Sequence, residues 1–419
     1  MPCTALSERW RARPARLGPE GLLDLADERP FALLHGEGRF TILGREPLAL
    51  REDFALGSWE IAREGALPPI LPDFLGFASY EAGMRLEPLA GGPPAAALPL
   101  PEVAFALYRE LFVHDRATGL LHEALREGLP ALPTQVHTLG AGPFRARKVA
   151  DTDTPEGYAA KVREIREGIA KGDVYQVNLT RQETWAWEGD LRELARRLLR
   201  ANPAPHSGLV AGPGWAVLSS SPERLLKLEE GWLSTRPIKG TAPRGAAPEA
   251  DAALAEALLA SPKNRSELAM IVDLLRNDLT QACLPGSVTT GDFPVLESYA
   301  NVHHLVSEIR GRLAPGTDLQ ALMRALLPGG SVTGCPKLSA MRMIRRLEGC
   351  ARQVYCGALG WLRHDLGQGD LALPIRTAWA SEGLLRFGVG GGVVWGSDPE
   401  DEYAETLHKG RSLVQCLSS

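Results

Sequence analysis

The chain has 419 residues, of which 44% are hydrophobic and 23% charged, and its formal net charge is −5 at pH 7. This composition is typical of a soluble globular protein, and the length suffices for two or three domains or for one large composite core. The chain contains no apolar run of about 18 residues, so we expect no membrane span. It contains no basic cluster either, so we expect no nucleic-acid partner. The six cysteines form no Cys-x-x-Cys pair and the N-terminus lacks an apolar signal segment, which predicts a cytoplasmic protein.

The first part of the chain, residues 1–127, alternates short apolar runs with turns. Residues 31–34, 40–43 and 103–113 predict strands, and a stretch rich in proline, glycine and alanine near residues 88–101 predicts a loop. A second stretch of this kind lies in residues 128–149 and is the best candidate for a linker. We therefore expect an N-terminal region that contributes strands to a shared core, followed by a catalytic domain over residues 150–419.

The helix predicted after this linker has clear start and stop signals. Thr154 is a candidate N-cap with Pro155 at the first helical position, and the helix is expected to run to about Lys171. Apolar residues at 158, 162, 165 and 169 form one stripe along it. Gly172 predicts the end of the helix. Residues 173–180 then alternate as a strand.

The hairpin-like stretch of residues 219–245 is expected to bring an acid and an amine together. Glu229, Glu230 and Gly231 separate two strand-like runs, and the resulting register places Glu223 roughly opposite Lys239, with Cβ atoms about 5 Å apart. Proline at position 237 must interrupt the ladder, so the pairing near Lys239 is expected to be irregular. A salt bridge on a solvated hairpin is the alternative to a catalytic pair.

Two later helices carry carboxylates that suit a metal ion. Ser261 begins the first helix, on which Glu267 heads an apolar face; an unpaired buried carboxylate is costly, so a cation is expected nearby. The alternative is that Glu267 only flanks the apolar stripe or pairs with an arginine. On the second, Glu402 and Glu405 share a face and Lys409 follows four residues after Glu405. A solvated ion pair is the simple interpretation. The alternative is a set of oxygen ligands for Mg²⁺, with a carboxylate from each helix.

Two glycine-rich segments and a histidine pair complete the candidates. Residues 327–337 open a helix and offer backbone N–H groups to an anion, although they lack the Lys-Ser/Thr of a Walker A loop. Residues 387–394 predict a strand interrupted by glycines. Both segments have a purely structural alternative. His303 and His304 are adjacent on a predicted strand, so at most one of them faces a site.

Together these motifs resemble those of the chorismate-utilising enzymes, a family that includes anthranilate, aminodeoxychorismate, isochorismate and salicylate synthases. The resemblance is dense from about residue 154 to 417 and looser before it. Chance agreement of the motifs in family order is negligible. They are Asp-Val-Tyr-Gln-Val-Asn-Leu (173–179), Ser-Pro-Glu-Arg (221–224) with Pro-Ile-Lys-Gly-Thr (237–241), Ser-Glu-Leu-Ala-Met-Ile-Val-Asp-Leu-Leu-Arg-Asn-Asp (266–278), Val-His-His-Leu-Val-Ser (302–307) with Pro-Gly-Gly-Ser-Val-Thr-Gly (328–334), and Glu-Tyr-Ala-Glu-Thr (402–406).

The resemblance implies a fold, a substrate and a cofactor. The fold is α+β, with two large antiparallel β-sheets flanked by helices and with N-terminal strands in the same core. The substrate is chorismate, and the cofactor is Mg²⁺, held by Glu267 and Glu405 with Glu402 beside them. His304 matches the catalytic-site histidine of the family. The positions matched to substrate binding are Gln176, Thr241, Ser331, Tyr355, Arg376, Gly390, Gly391, Gly392 and Lys409.

Two positions distinguish members of the family, and a third departs from the family pattern. Gln176 stands where isochorismate and salicylate synthases carry a lysine that activates water, which argues against water as the nucleophile. Lys239 stands where anthranilate synthases typically carry alanine, and a lysine there is similar to aminodeoxychorismate synthases. Asn264 departs from the acidic residue that relatives often have at this position.

The reaction implied is the amination of chorismate at C4, which yields 4-amino-4-deoxychorismate for folate synthesis. Lys239 attacks C2, Glu223 protonates the departing C4 hydroxyl as general acid, and ammonia then adds at C4 and expels Lys239. Burial and the neighbouring Arg236 are expected to lower the pKa of Lys239 from about 10.4.

The sequence contains no glutaminase motif, so ammonia is expected from a separate glutaminase subunit or from solution. It contains no lyase motif either, so the pyruvyl group is expected to stay on the product. Two alternatives remain. The first is an anthranilate synthase component, and the second is a non-catalytic subunit that binds a glutaminase.

Overall fold

Nine α-helices and two short 3-10 helices lie in the part of the chain that the computed structural model describes, residues 3–26, 29–36, 39–132, 139–298 and 302–419. The 3-10 helices are Pro88–Ala90 and Gly330–Val332. The α-helices, α1 to α9, are Pro19–Leu23, Tyr80–Leu86, Pro155–Lys171, Leu191–Ala201, Pro248–Ala260, Pro262–Thr280, Leu319–Leu326, Lys337–Glu348 and Pro399–Ser418. Within these ranges, no helix is both long and apolar enough to cross a membrane.

The described strands are numbered β1 to β23 in chain order. They are Thr4–Pro14, Phe31–Gly36, Phe40–Arg51, Trp59–Gly65, Phe74–Ala78, Val103–Asp115, Leu120–Glu127, Arg145–Asp151, Gln176–Glu188, His206–Gly212, Trp215–Ser221, Arg224–Glu229, Trp232–Arg236, Ile238–Pro243, Thr289–Thr290, Val295–Ser298, Val302–Val306, Ile309–Arg312, Gly334–Cys335, Ala358–Leu362, Gln368–Ala372, Thr377–Ser381 and Leu384–Val393.

Hydrogen bonds join 20 of these strands into one continuous network, and β14, β17 and β16 form a separate three-stranded sheet. Strands β1 and β4 pair in parallel. The pairs that build the site, such as β9 with β23 and β14 with β17, are antiparallel. The prediction of an α+β fold with large antiparallel sheet structure flanked by helices is confirmed, although one 20-stranded network and one three-stranded sheet take the place of the two large sheets expected.

Strands from the first part of the chain pair directly with strands from the later part. Strand β2 lies beside β10, and β5 lies beside β20. Strand β8, in the segment between the two parts, pairs with β9. Residues 133–138 of the predicted linker lie outside the described residues.

A buried group of charges supports this junction. Arg126 is 1% exposed. Its Nε donates to Glu8 Oε1 at 2.7 Å, and its Nη2 donates to Asp73 Oδ1 at 3.1 Å. Arg63 also pairs with Asp73. On the other side, Asp73 Oδ2 accepts the backbone N–H of His364, in the turn between β20 and β21, at 3.0 Å. These ion pairs tie β1, β4 and β7 to one another and to Asp73, and the hydrogen bond from His364 to Asp73 connects the group to the later part of the chain.

The helix predicted from its caps is α3, and the prediction is confirmed. Thr154 Oγ1 accepts the backbone N–H of Gly157 at 3.1 Å, which satisfies one of the free N–H groups of the first turn. Gly172 ends the helix with a φ of 81°, in the left-handed region that glycine adopts without strain. The strand predicted from residue 173 begins later, at Gln176. The backbone N–H of Asp173 is still bonded to the carbonyl of Gly168, which explains the delay.

Candidate active site

A cavity of about 950 Å³ lies among β14, β17, β23, α6 and α9. Its wall contains most of the side chains that the sequence analysis selected. The predicted residues that line it are Glu223, Lys239, Thr241, Glu267, His304, Ser331, Tyr355, Arg376, Gly390, Gly392, Glu402, Glu405 and Lys409. The fold thus gathers residues that are almost 190 positions apart in the sequence into one volume.

Gln176 and Gly391 do not line this cavity but lie directly against its wall. A Cβ atom added at Gly392 would be 2.9 Å from Nε2 of Gln176. The Gln176 residue is 1% exposed, and its Nε2 has no hydrogen-bond partner among the described residues. A Cβ atom added at Gly391 would be 3.2 Å from Glu402 Oε2 and 3.3 Å from Glu405 Oε1. Gln176 therefore acts on the cavity only through the glycine strand, whereas Gly391 lies directly against the two carboxylates of α9 that line it.

The acid and the amine meet in this cavity by a route that differs from the predicted one. The hairpin of β12 and β13 has the expected register, with Leu228 opposite Leu233. The ladder ends at Arg236, however, and beyond Pro237 strand β14 pairs with β17, which places Lys239 opposite Leu305. The prediction that Glu223 and Lys239 are cross-strand neighbours is wrong. Proline cannot donate to the ladder, so the chain leaves the first sheet at this point.

Glu223 is buried and bonded to a hydroxyl. Ser331 Oγ donates to Glu223 Oε1 at 2.7 Å. Burial raises the pKa of the Glu223 carboxyl because the charged form loses its hydration, and the hydrogen bond from Ser331 and the charges of Lys239 and Lys409 offset this only in part. The protonated carboxyl therefore persists to higher pH than for a carboxyl in water, as a general acid requires.

Lys239 shows the opposite shift for the same reason. Burial lowers the pKa of its ammonium group, and Lys409 lowers it further, while the nearby carboxylates of Glu223, Glu267 and Glu405 act against this. The expected contribution of Arg236 is wrong. Arg236 pairs with Glu297 and lines a separate cavity of about 260 Å³, so the cation that matters is Lys409.

The two histidines of β17 point in opposite directions, as strand geometry requires. His304 lines the cavity, and its Nδ1 is hydrogen-bonded to Thr241 Oγ1 at 2.9 Å. Burial and the charge of Arg376 lower the pKa of His304, which favours the neutral imidazole. His303 instead contacts Asp251, with 2.9 Å between Nε2 and Oδ1.

Two carboxylates of α9 face the cavity in different electrostatic surroundings. Glu402 Oε1 accepts the hydroxyl of Ser397 at 2.6 Å, while its buried Oε2 has no hydrogen-bond partner among the described residues. Burial and the adjacent Glu405 raise the pKa of Glu402. Burial alone would raise the pKa of Glu405 too, but Lys409, 2.6 Å from its Oε1, reverses the shift together with other lysines.

The carboxylates of Glu402 and Glu405, together with that of Glu267, are the candidates for holding a metal ion. Glu267, on α6, lines the cavity across from α9 and lies 4.0 Å from Nζ of Lys263. In the described ranges, no three or more His, Cys, Asp or Glu side chains already stand at metal-ligand spacing. The donors nevertheless fit a hard divalent cation, because all are carboxylate oxygens and the buried Oε2 of Glu402 has no hydrogen-bond partner in the described part of the chain.

Another part of the cavity wall suits an anionic group. Arg376 lines it, and among the described residues no carboxylate pairs with the guanidinium. Tyr355 is buried beside the glycine strand, where a Cβ atom added at Gly388 would lie 2.6 Å from its ring. Glycine is therefore required in β23 for the tyrosine and the strand to approach each other. An arginine fork and exposed backbone groups are well suited to bind a carboxylate.

Several lining residues escaped the sequence analysis. Lys263 precedes Glu267 by one helical turn, and His408 follows Glu405 by three residues on α9, so helical spacing could have selected both. Asn178 follows Gln176 by two residues on β9, which puts the two on one face. Arg411 also lines the cavity, and no motif pointed to it.

Comparisons with known proteins agree with this geometry. Residues 27–415 match the sequence profile of a family described as chorismate binding enzyme. Aminodeoxychorismate synthase component 1 of Salmonella typhimurium is 38% identical over 353 residues, which cover 82% of this chain and 76% of that protein. Anthranilate synthase component 1 of Streptomyces coelicolor is 36% identical in an alignment of 421 positions that covers 91% of this chain and 81% of that protein. The crystal structure of anthranilate synthase component I from Streptococcus pneumoniae aligns with a TM-score of 0.76 at 26% identity, covering 90% of this chain and 92% of that one.

Proposed function

The chain belongs to the family of chorismate-binding enzymes, and from this premise we propose that it aminates chorismate to 4-amino-4-deoxychorismate, as an aminodeoxychorismate synthase component 1. One observation carries the proposal. Lys239 and Glu223 line the same cavity, and burial shifts the pKa of each toward its neutral form. A neutral amine is a nucleophile and a protonated carboxyl is an acid, which is the pair that the reaction needs.

The proposed reaction is a double displacement around the ring. The lone pair of Lys239 Nζ attacks C2, the ring electrons shift, and the C4–O bond breaks while the proton of Glu223 passes to the leaving oxygen and releases water. Ammonia then attacks C4, the electrons return, and the C2–N bond to Lys239 breaks. The ammonia proton that is lost restores the acid form of Glu223. The sum is chorismate plus ammonia going to 4-amino-4-deoxychorismate plus water.

The remaining wall residues orient the substrate in this proposal. Glu267, Glu405 and Glu402 would hold Mg²⁺, which supplies positive charge for the ring carboxylate when it is bound. Arg376 would hold the enolpyruvyl carboxylate through its fork, assisted by Tyr355 and the backbone of the glycine strand. His304 would stay neutral and oriented by Thr241. The proposed role of Lys409 is to bind substrate as well as to lower the pKa of Lys239.

Ammonia would come from a separate glutaminase subunit or from solution. The relatives named component 1 support a partner of this kind. The product would enter the synthesis of para-aminobenzoate and folate.

The test is to identify the product. The protein is incubated with chorismate, Mg²⁺ and ammonium, and the mixture is analysed by mass spectrometry and fluorescence. We expect 4-amino-4-deoxychorismate with its enolpyruvyl group intact. Anthranilate fluorescence without any added lyase would instead assign the chain to the second candidate, an anthranilate synthase component, which the relative from Streptomyces coelicolor supports. Absence of turnover would leave only a glutaminase-binding subunit.

A further inference from the structure

A fully buried ion pair lies behind the cavity wall and does not itself line the cavity. Arg352 is 1% exposed and Glu348 9%. Arg352 Nε donates to Glu348 Oε2 at 2.9 Å, and Nη2 donates to Oε1 at 2.6 Å. The pair lies at the end of α8 and in the turn that follows it. The reaction described above uses neither residue.

The other side-chain hydrogen bonds of this pair go to backbone groups of β9 and of the 3-10 helix Gly330–Val332. Arg352 Nη1 donates to the carbonyl of Val332 at 2.8 Å, and Nη2 donates to the carbonyl of Asn178 at 2.7 Å. Glu348 Oε1 accepts the backbone N–H of Thr180 at 2.8 Å. Both Val332 and Asn178 line the cavity. One guanidinium therefore fixes the distance between strand β9 and the 3-10 helix that contains Val332.

The 3-10 helix also carries the residue that touches the general acid. Ser331 directly precedes Val332, and its hydroxyl donates to Glu223 at 2.7 Å. We propose that Arg352 and Glu348 are positioning residues, which set the hydrogen bond between Ser331 and Glu223 and so the geometry of acid catalysis. This inference rests on the proposed function, in which Glu223 is the general acid.

The chemistry of arginine explains why this residue stands here. Two well-packed apolar side chains would stabilise a protein interior at least as well as a buried ion pair, so stability alone does not require one. Arginine, however, presents donors in a rigid plane and can hold a carboxylate and two carbonyls at once. Lysine would keep the charge but could not make the planar fork. The substitution Arg352→Lys therefore keeps the positive charge and removes the planar set of donors, so its effect reports on the hydrogen-bond geometry.

A double-mutant cycle tests the inference through ammonium-dependent amination of chorismate. Ser331→Ala should lower kcat about tenfold through loss of one hydrogen bond to the acid. Arg352→Lys should lower kcat by a similar factor and change KM for chorismate by less than about twofold. Because both changes act on the same bond, the double variant should lose about tenfold as well. A loss of about a hundredfold, or a wild-type kcat in Arg352→Lys, would overturn the positioning role.

Arg126→Lys is the matched control, because Arg126 is equally buried and ion-paired but lies away from the cavity. It should lower the melting temperature and leave kcat unchanged, which separates loss of stability from loss of positioning. If Arg352→Lys does not fold, Glu348→Gln decides, since it preserves volume and weakens the pair. We expect a fall in kcat with unchanged KM for this variant too, and an unchanged kcat would contradict the inference.

The two proposals fail in different ways. If the wild-type protein forms no aminated product from chorismate and ammonium, the proposed function is wrong. If the wild-type protein forms that product and the variants at positions 348 and 352 match its kcat, only the positioning role is wrong.

Discussion

At the scale of single residues, burial sets the protonation of the site. It raises the pKa of Glu223 and lowers that of Lys239, because each charged form loses hydration when it leaves water. The neutral forms of both groups gain population together, so one physical cause prepares the acid and the nucleophile. Lys409 strengthens the effect on Lys239 by charge repulsion.

Lys239→Ala should abolish amination, because no other residue in the proposal supplies the nucleophile that attacks C2. Binding of chorismate and Mg²⁺ should change by no more than about threefold, since carboxylate recognition stays intact. Turnover is measured by mass spectrometry and binding by calorimetry. Lys227→Ala, which removes an amine from β12 outside the cavity, is the control and should retain activity. Full amination by Lys239→Ala would rule out the covalent step.

Glu81 gives a pH-dependent prediction about stability. It is buried on α2, its Oε1 accepts the backbone N–H of Arg352 at 2.8 Å, and burial raises its pKa to about 7. A carboxyl with a raised pKa stabilises the fold while it is protonated, and this contribution is lost as the pH rises through about 7. At pH 8 the folded protein therefore holds an ionised buried carboxyl.

Glu81→Gln should remove this penalty because an amide does not ionise and its oxygen still accepts the N–H of Arg352. We expect the free energy of unfolding to rise by about 3 kcal/mol at about pH 8 and to stay nearly unchanged at about pH 4. Urea denaturation at the two pH values measures the difference. An equal change at both values would mean that ionisation is not the cause.

At the scale of elements, two neighbouring glycines of strand β23 have different roles. Gly390 is needed for the packing of the strand, and Gly391 lies against residues proposed to bind the metal ion. A Cβ atom added at Gly390 would lie 2.2 Å from the backbone oxygen of Leu179, so β9 and β23 would have to move apart. At Gly391 the nearest atoms belong to the side chains of Glu402, Glu405 and Lys409, at 3.2 to 3.5 Å, which can shift.

Gly390→Ala should therefore lower the free energy of unfolding by about 2–4 kcal/mol. Gly391→Ala should lower it by less than about 1 kcal/mol but weaken Mg²⁺ binding, because it displaces the two carboxylates. Urea denaturation and Mg²⁺ calorimetry distinguish the two variants. The assignment of these carboxylates to the metal would be in doubt if Gly391→Ala bound Mg²⁺ as well as the wild type.

At the scale of the whole molecule, buried charges join the first and later parts of the chain. Asp73 contacts Arg126 and Arg63 on one side and His364 on the other. Burial would raise the pKa of Asp73, but the hydrogen bond to His364 and the two arginines lower it to about 2. A carboxyl with a lowered pKa stabilises the fold above its ordinary value of 3.8, and the contribution is lost as the pH falls toward 2.

Asp73→Asn should lower the free energy of unfolding at about pH 7 by at least about 2 kcal/mol, because it removes one of the two buried carboxylates, Asp73 and Glu8, that neutralise Arg63 and Arg126. The difference from the wild type should shrink as the pH approaches about 2. Urea denaturation followed between these pH values measures it. A constant difference across the range would show that lost packing, rather than lost charge, causes the effect.

The sequence by itself determined the features that depend on neighbours along the chain. The caps of α3 involve residues three or four positions apart, so Thr154, Pro155 and Gly172 were sufficient to predict its ends. The register of the hairpin between β12 and β13 follows from its turn. The resemblance of the motifs to a known family also indicated which residues gather in the cavity, although no single motif did so.

The tertiary structure alone decided which distant segments meet. Lys239 pairs in a strand with Leu305 rather than opposite Glu223, and Lys409 rather than Arg236 is the cation that lowers its pKa. Arg352 joins the carbonyls of Asn178 and Val332. Contacts of this kind link positions tens to hundreds of residues apart, and they form because burying the shared core offsets the entropy of closing such long loops. No local sequence pattern encodes that balance of free energies, so only the folded chain reveals these long-range contacts.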